Sequence, residues 1–254
     1  MIDAHCHLEQ EDYDSDRAEV IRECRKKLRA IVTCCADPRD WEITESMAKE
    51  YKGFVYAIAG IHPEFIKNFE KNEIKDFIEV IKKAAKQRTI IAIGEIGLDY
   101  YWIKDAVNRD RQKDLFVRMI ELSKELNLPV VVHSRDAVLE CIAILEEQGM
   151  KNKKVLMHLM GDRDYIERIV KNGWMISIGP GVLKSKGTRK IARDVPLTHL
   201  MLETDSPWFG FGERGNPLNV IKAAEKVAEI KKISVEDVEK ATDKNTIEFF
   251  SLER

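Results

Sequence analysis

The chain has 254 residues, a 44% apolar fraction and a formal net charge of −2. That composition is enough for one large core and excludes recruitment of nucleic acid or anionic membrane by a global positive field. A phosphodiester substrate would have to be held locally, by metal ions and a few basic side chains.

Short apolar, β-branched runs alternate with longer charged amphipathic runs from end to end. Strand Ile2–His5 precedes a helical pattern at Asp16–Leu28, and Ala30–Cys35 precedes Pro38–Tyr51. Val55–Ile61 leads to Ile74–Gln87, Ile90–Ile96 to Arg109–Leu126, and Val130–His133 to Arg135–Gln148. Val155–His158 leads to Asp162–Lys171, and Met175–Ile178 to Lys184–Arg193. His199–Glu203 is the eighth strand, followed by helices Leu218–Ile230 and Val235–Phe250, the last with Ser234 as cap and Asp237 three residues on. The strands are continuous apolar runs, as expected of parallel strands buried on both faces. Eight strand–helix units without a linker or low-complexity stretch predict an α/β fold, a (β/α)8 TIM barrel forming a single domain over residues 1–254. An open doubly wound sheet also alternates strand and helix. The barrel differs in collecting its chemistry at the C-terminal ends of several strands.

The polar residues fall at those ends. Strand one ends at His5 with His7 beyond it, strand three at His62, strand five at His133 and strand six at His158. Strand four carries Glu95 near its end and Asp99 past it, and strand eight carries Glu203 and Asp205. Five of the six histidines thus gather on one rim; His199 starts its strand at the opposite end and reads as structural. Residues two apart on a strand share a side, so His5 and His7 can converge on one point, while Cys6 between them points away into packing. Imidazole is a leading ligand for divalent metals. Glu95, inside an apolar strand, is costly to bury unless paired or metal-bound. Four histidines with Glu95 and Asp205 can complete two metal sites, with a carboxylate bridging the ions. Of Glu203 and Asp205, which share a face, Asp205 is nearer the rim and is the expected ligand.

Five cysteines, at 6, 24, 34, 35 and 141, include no Cys-x-x-Cys and suit a reducing cytosol. No uncharged apolar run reaches the ~18–20 residues of a spanning helix. The start is a strand, not a basic segment followed by an apolar run, so no signal peptide is expected and the localisation reads as cytoplasmic.

The stretches Asp3-Ala-His-Cys-His7, Gly60-Ile-His-Pro63, Gly94-Glu-Ile-Gly-Leu-Asp-Tyr100, Pro129-Val-Val-Val-His-Ser-Arg-Asp136 and Glu203-Thr-Asp-Ser-Pro207, with Thr242-Asp-Lys-Asn-Thr246 near the end, carry a resemblance. The chain resembles the TatD-type metal-dependent deoxyribonucleases, a branch of the amidohydrolase-like barrels, over essentially its whole length. The resemblance implies a two-metal phosphodiesterase acting on DNA, trimming from a 3′ end. It implies one ion held by His5, His7, Glu95 and Asp205 and a second by Glu95, His133 and His158. Two stretches depart from the family. The strand-six histidine is followed by Leu159-Met-Gly-Asp162 instead of Cys-Phe-Ser-Gly, and Arg214-Gly-Asn-Pro217 stands where Arg-Asn-x-Pro is common.

A divalent metal lowers the pKa of bound water to near neutrality. Asp205 is then placed to orient that water and accept its proton. Glu95 fixes the metal spacing. His62, not needed as a ligand, either bonds a phosphate oxygen or leaving group or holds the Pro63 turn. Arg135 either binds phosphate or starts a helix with a salt bridge. Lys184, with Lys186 and Arg189, forms either a substrate patch or a solvated face. Trp208, Phe209 and Phe211 either stack on unpaired bases or pack under their loop. Histidine-rich sites favour zinc, manganese, cobalt or nickel over magnesium on softness, whereas the resemblance implies a divalent metal that is often magnesium; Mg2+, Zn2+ and Mn2+ stay open. The competing functions are hydrolysis of a small amide, lactone or ester, and a non-catalytic metal-binding scaffold. Glu95 at the bridging position, where wider relatives carry a carboxylated lysine, favours the nuclease branch.

Overall fold

A computed structural model describes residues 1–253. Eight parallel strands follow one another in sequence order: β1 (Ile2–Cys6), β2 (Ala30–Cys35), β3 (Val55–Ala59), β4 (Ile90–Asp99), β5 (Val130–Arg135), β6 (Val155–Met157), β7 (Met175–Ile178) and β8 (Leu200–Leu202). Helices α1 (Arg17–Arg25), α2 (Trp41–Glu50), α3 (Lys71–Lys86), α4 (Ala106–Leu126), α5 (Val138–Glu147) and α6 (Ile166–Lys171) cross between strands. Short α7 (Gly181–Lys184) and α8 (Lys186–Asp194) follow β7, and α9 (Asn219–Lys231) and α10 (Val235–Phe250) complete the chain. The ends of β1 and β8 join the two edges: Asp205 N donates to His5 O at 3.0 Å and His7 N to Ser206 O at 2.8 Å. The expected barrel is therefore observed.

Each strand is buried on two sides. Ile31, Ile93, Val132 and Ile176 pack outward against helices, while Val32, Ile58, Ala92, Val131, Leu156 and Met201 fill the inside. The helices present matching stripes. In α3 the buried residues Ile74, Phe77, Ile78, Ile81 and Ala84 recur at the three- and four-residue spacing of one face, and Glu73 accepts from Glu70 N at 2.8 Å to cap the start. Ser234 Oγ caps α10 by accepting from Asp237 N at 3.0 Å, as expected.

Two irregularities aim the site. Along β1 the partners step from Asp3↔Ile31 to Cys6↔Thr33, and along β4 from Ile93↔Val130 to Ile96↔Val132. Each inserts one extra residue, which reverses the alternation beyond it. Cys6 and Ile96 consequently join the outward core, and His5 and Glu95 turn inward. Cys6 is buried with its Sγ 3.6 Å from Val32 O, consistent with packing.

Several boundaries differ from the sequence expectation. β4 runs three residues further, to Asp99. β5 ends at Arg135, which belongs to the strand and not to a helix start; Asp136, at φ 56°, breaks the chain direction before α5 begins at Val138. The helix expected over Lys184–Arg193 is two, divided at Ser185, whose Oγ caps α8 by accepting from Thr188 N at 3.1 Å. His199 precedes β8 in a 3-10 turn.

Glu146 on α5 ties this helix to α6, accepting from Arg168 Nη2 at 2.5 Å and from Asn172 Nδ2 at 2.7 Å. Those bonds lower its pKa to about 2. The resulting stability is complete above the ordinary carboxyl pKa of ~4.3 and is lost as pH falls toward 2. Both side chains are a third or more exposed (33% and 41%), so solvent screening limits the effect to about 1 kcal/mol. Urea melts of Glu146→Gln should show a deficit of that size at pH 7 that vanishes near pH 2.

Candidate metal centre

The inward-turned residues meet around one carboxylate. Glu95, 3% exposed, divides its oxygens between two histidine groups. Its Oε2 lies 3.5 Å from His5 Nε2 and 3.6 Å from His7 Nε2. Its Oε1 lies 2.8 Å from His133 Nδ1, 3.4 Å from His158 Nε2 and 3.6 Å from His62 Nε2. Asp205 closes the first group, with Oδ1 3.4 Å from His7 Nε2 and 3.8 Å from His5 Nε2. The two imidazoles of β1 stand 3.1 Å apart at Nε2. Donors at ~2.0–2.2 Å from one tetrahedral ion are spaced by roughly 3.3–3.6 Å, so these separations suit a shared cation, and the N/O donor chemistry fits a divalent metal.

Backbone packing holds this arrangement. A Cβ on Gly60 at the end of β3 would lie 2.7 Å from Glu95 O, so only glycine lets the two strands approach there. Asp205 sits at φ 54°, an uncommon conformation that Asp tolerates better than most residues. Beneath it, Asp3 is fully buried and accepts from Thr204 Oγ1 at 2.6 Å, Thr204 N at 2.9 Å and His5 N at 3.3 Å. This network joins the first strand to the last.

A second layer of carboxylates orients the rings. Glu9 accepts from His7 Nδ1 at 2.8 Å and is itself held by Thr33 Oγ1 at 3.1 Å. Glu203 pairs with His158 Nδ1 at 3.0 Å and accepts from Leu159 N at 3.0 Å. Asp99 takes His133 Nε2 at 2.9 Å. His5 lacks such an anchor; its Nδ1 is buried without a partner, and its ring packs on His158 at 4.0 Å.

Charge alternates across the cluster. Burial opposes charge on His158, but Glu203 and Glu95 raise its pKa to about 10. Burial likewise opposes charge on His7, and Glu9 and Asp205 overcome it. His133 is raised against burial by its bonds to Asp99 and Glu95. Burial and the charge of His158 lower His5, and burial with His133 lowers His62 to about 3. Glu95 and Asp205 remain ionised despite burial, Glu95 through the charge of His158 and the bond from His133 and Asp205 through the bond from His7 and the charge of His158.

The model of the TatD-related DNases matches residues 2–251. The chain belongs to this family. The human protein named deoxyribonuclease TATDN3 is 34% identical over 262 residues, covering 98% of this chain and 94% of that one. The uncharacterized metal-dependent hydrolase YabD of Bacillus subtilis is 32% identical over 260 residues, covering 99% of both. Among solved structures, the TatD homologue YJJV of Escherichia coli superposes with a TM-score of 0.89 at 24% identity, covering 100% of this chain and 98% of that one. That likeness supports the barrel. Family membership makes the chain a metal-dependent hydrolase by class.

All six residues singled out as ligands meet at the rim, and His62 stands beside them. A cavity of about 1600 Å³ opens above and takes in His62, Glu95, His133, His158, Asp205 and Arg135. Arg135 lies at its edge with its guanidinium carbon 3.8 Å from the Tyr101 ring. Lys184 is not part of the cavity wall; its ammonium stands 5.8 Å from the Phe211 ring. Trp208, Phe209 and Phe211 are exposed, not packed under their loop. The orienting role of Glu9 escaped sequence reasoning, although its place two residues after His7 continues the spacing of the pair. Glu203 reads from sequence as the acid not needed as a ligand, yet it bonds the ring of His158, an expected one.

Thr204→Val removes the Oγ1 donor from the buried Asp3 carboxyl group. The expected cost is about 1–3 kcal/mol, or a Tm fall of roughly 2–6 °C by calorimetry.

Proposed function

We propose that this chain is a divalent-metal-dependent deoxyribonuclease that trims DNA from a 3′ end. The carrying observation is Glu95, with one oxygen facing His5 and His7 and the other facing His133 and His158. In this reading one ion sits with His5, His7, Glu95 and Asp205, and a second with Glu95, His133 and His158. Such ions supply a lowered water pKa and polarisation of the phosphoryl oxygen. On softness the histidine-rich donor set favours Zn2+ or Mn2+ over Mg2+, and all three remain candidates.

The chain's own groups do the rest. Asp205, held ionised, accepts the proton of the attacking water on its carboxylate. His62 is neutral, with a pKa of about 3, and its Nδ1 accepts from Glu64 N at 3.2 Å. Its proton therefore resides on Nε2, which faces the centre and donates to a phosphate oxygen. Arg135 offers its guanidinium to the phosphate next along the strand. The cavity exceeds the ~300–1,000 Å³ of ordinary small-molecule pockets, which favours the end of a polymer over a small amide, lactone or ester. A cytoplasmic setting is part of the same proposal, supported by five free, buried cysteines. No described helix is long and apolar enough to cross a membrane.

End-labelled single- and double-stranded DNA, incubated with Mg2+, Mn2+ or Zn2+, should be shortened from the 3′ end by the wild type. Glu95→Ala should lower the rate at least about 10²–10³-fold. Metal-dependent turnover of p-nitrophenyl esters or lactones, with intact DNA, would sink the proposal in favour of a small-molecule hydrolase.

Ion binding must also displace protons from His7, His133 and His158, whose pKa values are all raised. Calorimetric titrations in buffers of different ionisation enthalpy should show net proton release at pH 7, and affinity should strengthen as pH rises from 6 to 8. Glu9→Gln, which loosens the His7 ring, should weaken the affinity about 10–100-fold.

A further inference from the structure

The walls of the cavity are poor in positive charge. Among the described residues, Arg135 is the only arginine or lysine lining it, whereas Glu64, Asp136, Glu140 and Asp162 all do. A protein that tracks a polynucleotide backbone needs a row of cations, and this cavity wall has none. What it has is exposed aromatic surface on two sides. Beyond β4, Tyr101 and Trp102 are 43% and 53% exposed, with ring centroids 4.8 Å apart at 85°. Beyond β8, Trp208 is 48% exposed, and its ring meets the His7 ring edge-on at 4.8 Å. β4 and β8 lie opposite each other in an eight-strand ring, so the metal centre lies between two aromatic walls.

Arg135 belongs to the first wall. Its guanidinium lies over the Tyr101 ring at 3.8 Å and is 5.5 Å from the Trp102 ring. That contact holds the guanidinium at the cavity's edge, where its N–H groups can meet a phosphate in the planar bidentate pairing an arginine favours.

We propose that this rim grips a short single-stranded end by stacking its unpaired bases on Trp102 and Trp208, with Arg135 as the one basic anchor for a phosphate. The inference rests on the nuclease reading and specifies its substrate: few nucleotides, unpaired, recognised by base faces more than by backbone charge. Base stacking tolerates any sequence because every base has a π-face. A duplex end hides those faces and should be a poor ligand.

The test uses metal-loaded protein and cleavage-resistant phosphorothioate oligothymidylates of two, four, eight and sixteen nucleotides. Binding is read by tryptophan fluorescence and anisotropy over a range of NaCl at fixed metal. Affinity should level off by about four nucleotides. With one or two phosphates neutralised, log Kd should change against log salt with a slope of only about 0.7–1.4. Trp102→Ala and Trp208→Ala should each weaken binding about 5- to 150-fold, and Arg135→Gln should flatten the salt slope by about 0.7. A blunt duplex should bind at least about tenfold more weakly. A slope above about 3, affinity that keeps rising to sixteen nucleotides, unchanged binding in both tryptophan variants, or a duplex bound equally well would overturn the proposal while DNA cleavage by the wild type persists. A protein that neither binds nor cleaves any DNA would overturn the nuclease reading itself.

Discussion

A carboxylate buried in the mouth of a barrel loses the solvation that favours its charge. Glu95 keeps that charge because imidazoles surround it on both sides, with the charge of His158 and the bond from His133 acting against burial. The requirement reaches into the backbone of four other strands. Histidines from β1, β3, β5 and β6 have to arrive at one point from different directions, so strand ends must align to within an ångström or so. The extra residues in β1 and β4 turn His5 and Glu95 inward, and Gly60 allows the Glu95 backbone to approach β3. Without either device, plain alternation would aim both side chains at the helices.

The second layer follows from the first. An imidazole that must present one nitrogen to the centre needs its other nitrogen fixed, and Glu9, Glu203 and Asp99 do this for three of the four expected ligand histidines. Glu95 and Asp205 add their carboxyl groups, leaving the cup rich in acid. Protons on His7, His133 and His158 offset part of that charge in the metal-free protein. On the proposed reading, metal ions and protons compete for one electrostatic task, and the same carboxylates that hold the rings favour a bound dication.

Much of this was legible because chemistry and periodicity coincide at the strand ends. Buried parallel strands read as continuous apolar runs, so a histidine at the end of each stands out, as at His133 after Val130-Val-Val. The bulges were not legible: nothing in Ile2–Cys6 marks the extra residue, and ideal alternation would place Ala4 and Cys6 on one side. From sequence Arg135 reads as helical because polar residues after an apolar run resemble a helix start; the left-handed Asp136 that keeps it in the strand is a tertiary outcome. Ser185 could be read either as an interior helical residue or as a cap, and only the turn after β7 decides between them. Glu9 lies in sequence beside the histidines it serves, but an acid after a motif is common, and only its bonds to His7 and Thr33 distinguish it.

The sparse positive charge of the rim belongs to the same balance. Lysines and arginines set into a cup of five carboxyl groups would pair with them and compete with the cations the centre is built to take. A site that draws its positive charge from bound ions can leave its walls nearly free of basic side chains, which is compatible with a chain of net charge −2 acting on an anionic polymer. The contacts then left for the rest of a substrate are those that do not disturb the acid cup: flat aromatic faces, and an arginine whose guanidinium is held against Tyr101 at the cavity's edge. Placed on the loops after β4 and β8, these surfaces flank the centre without touching Glu95. The barrel thereby separates the charge that does chemistry from the surfaces that select what reaches it.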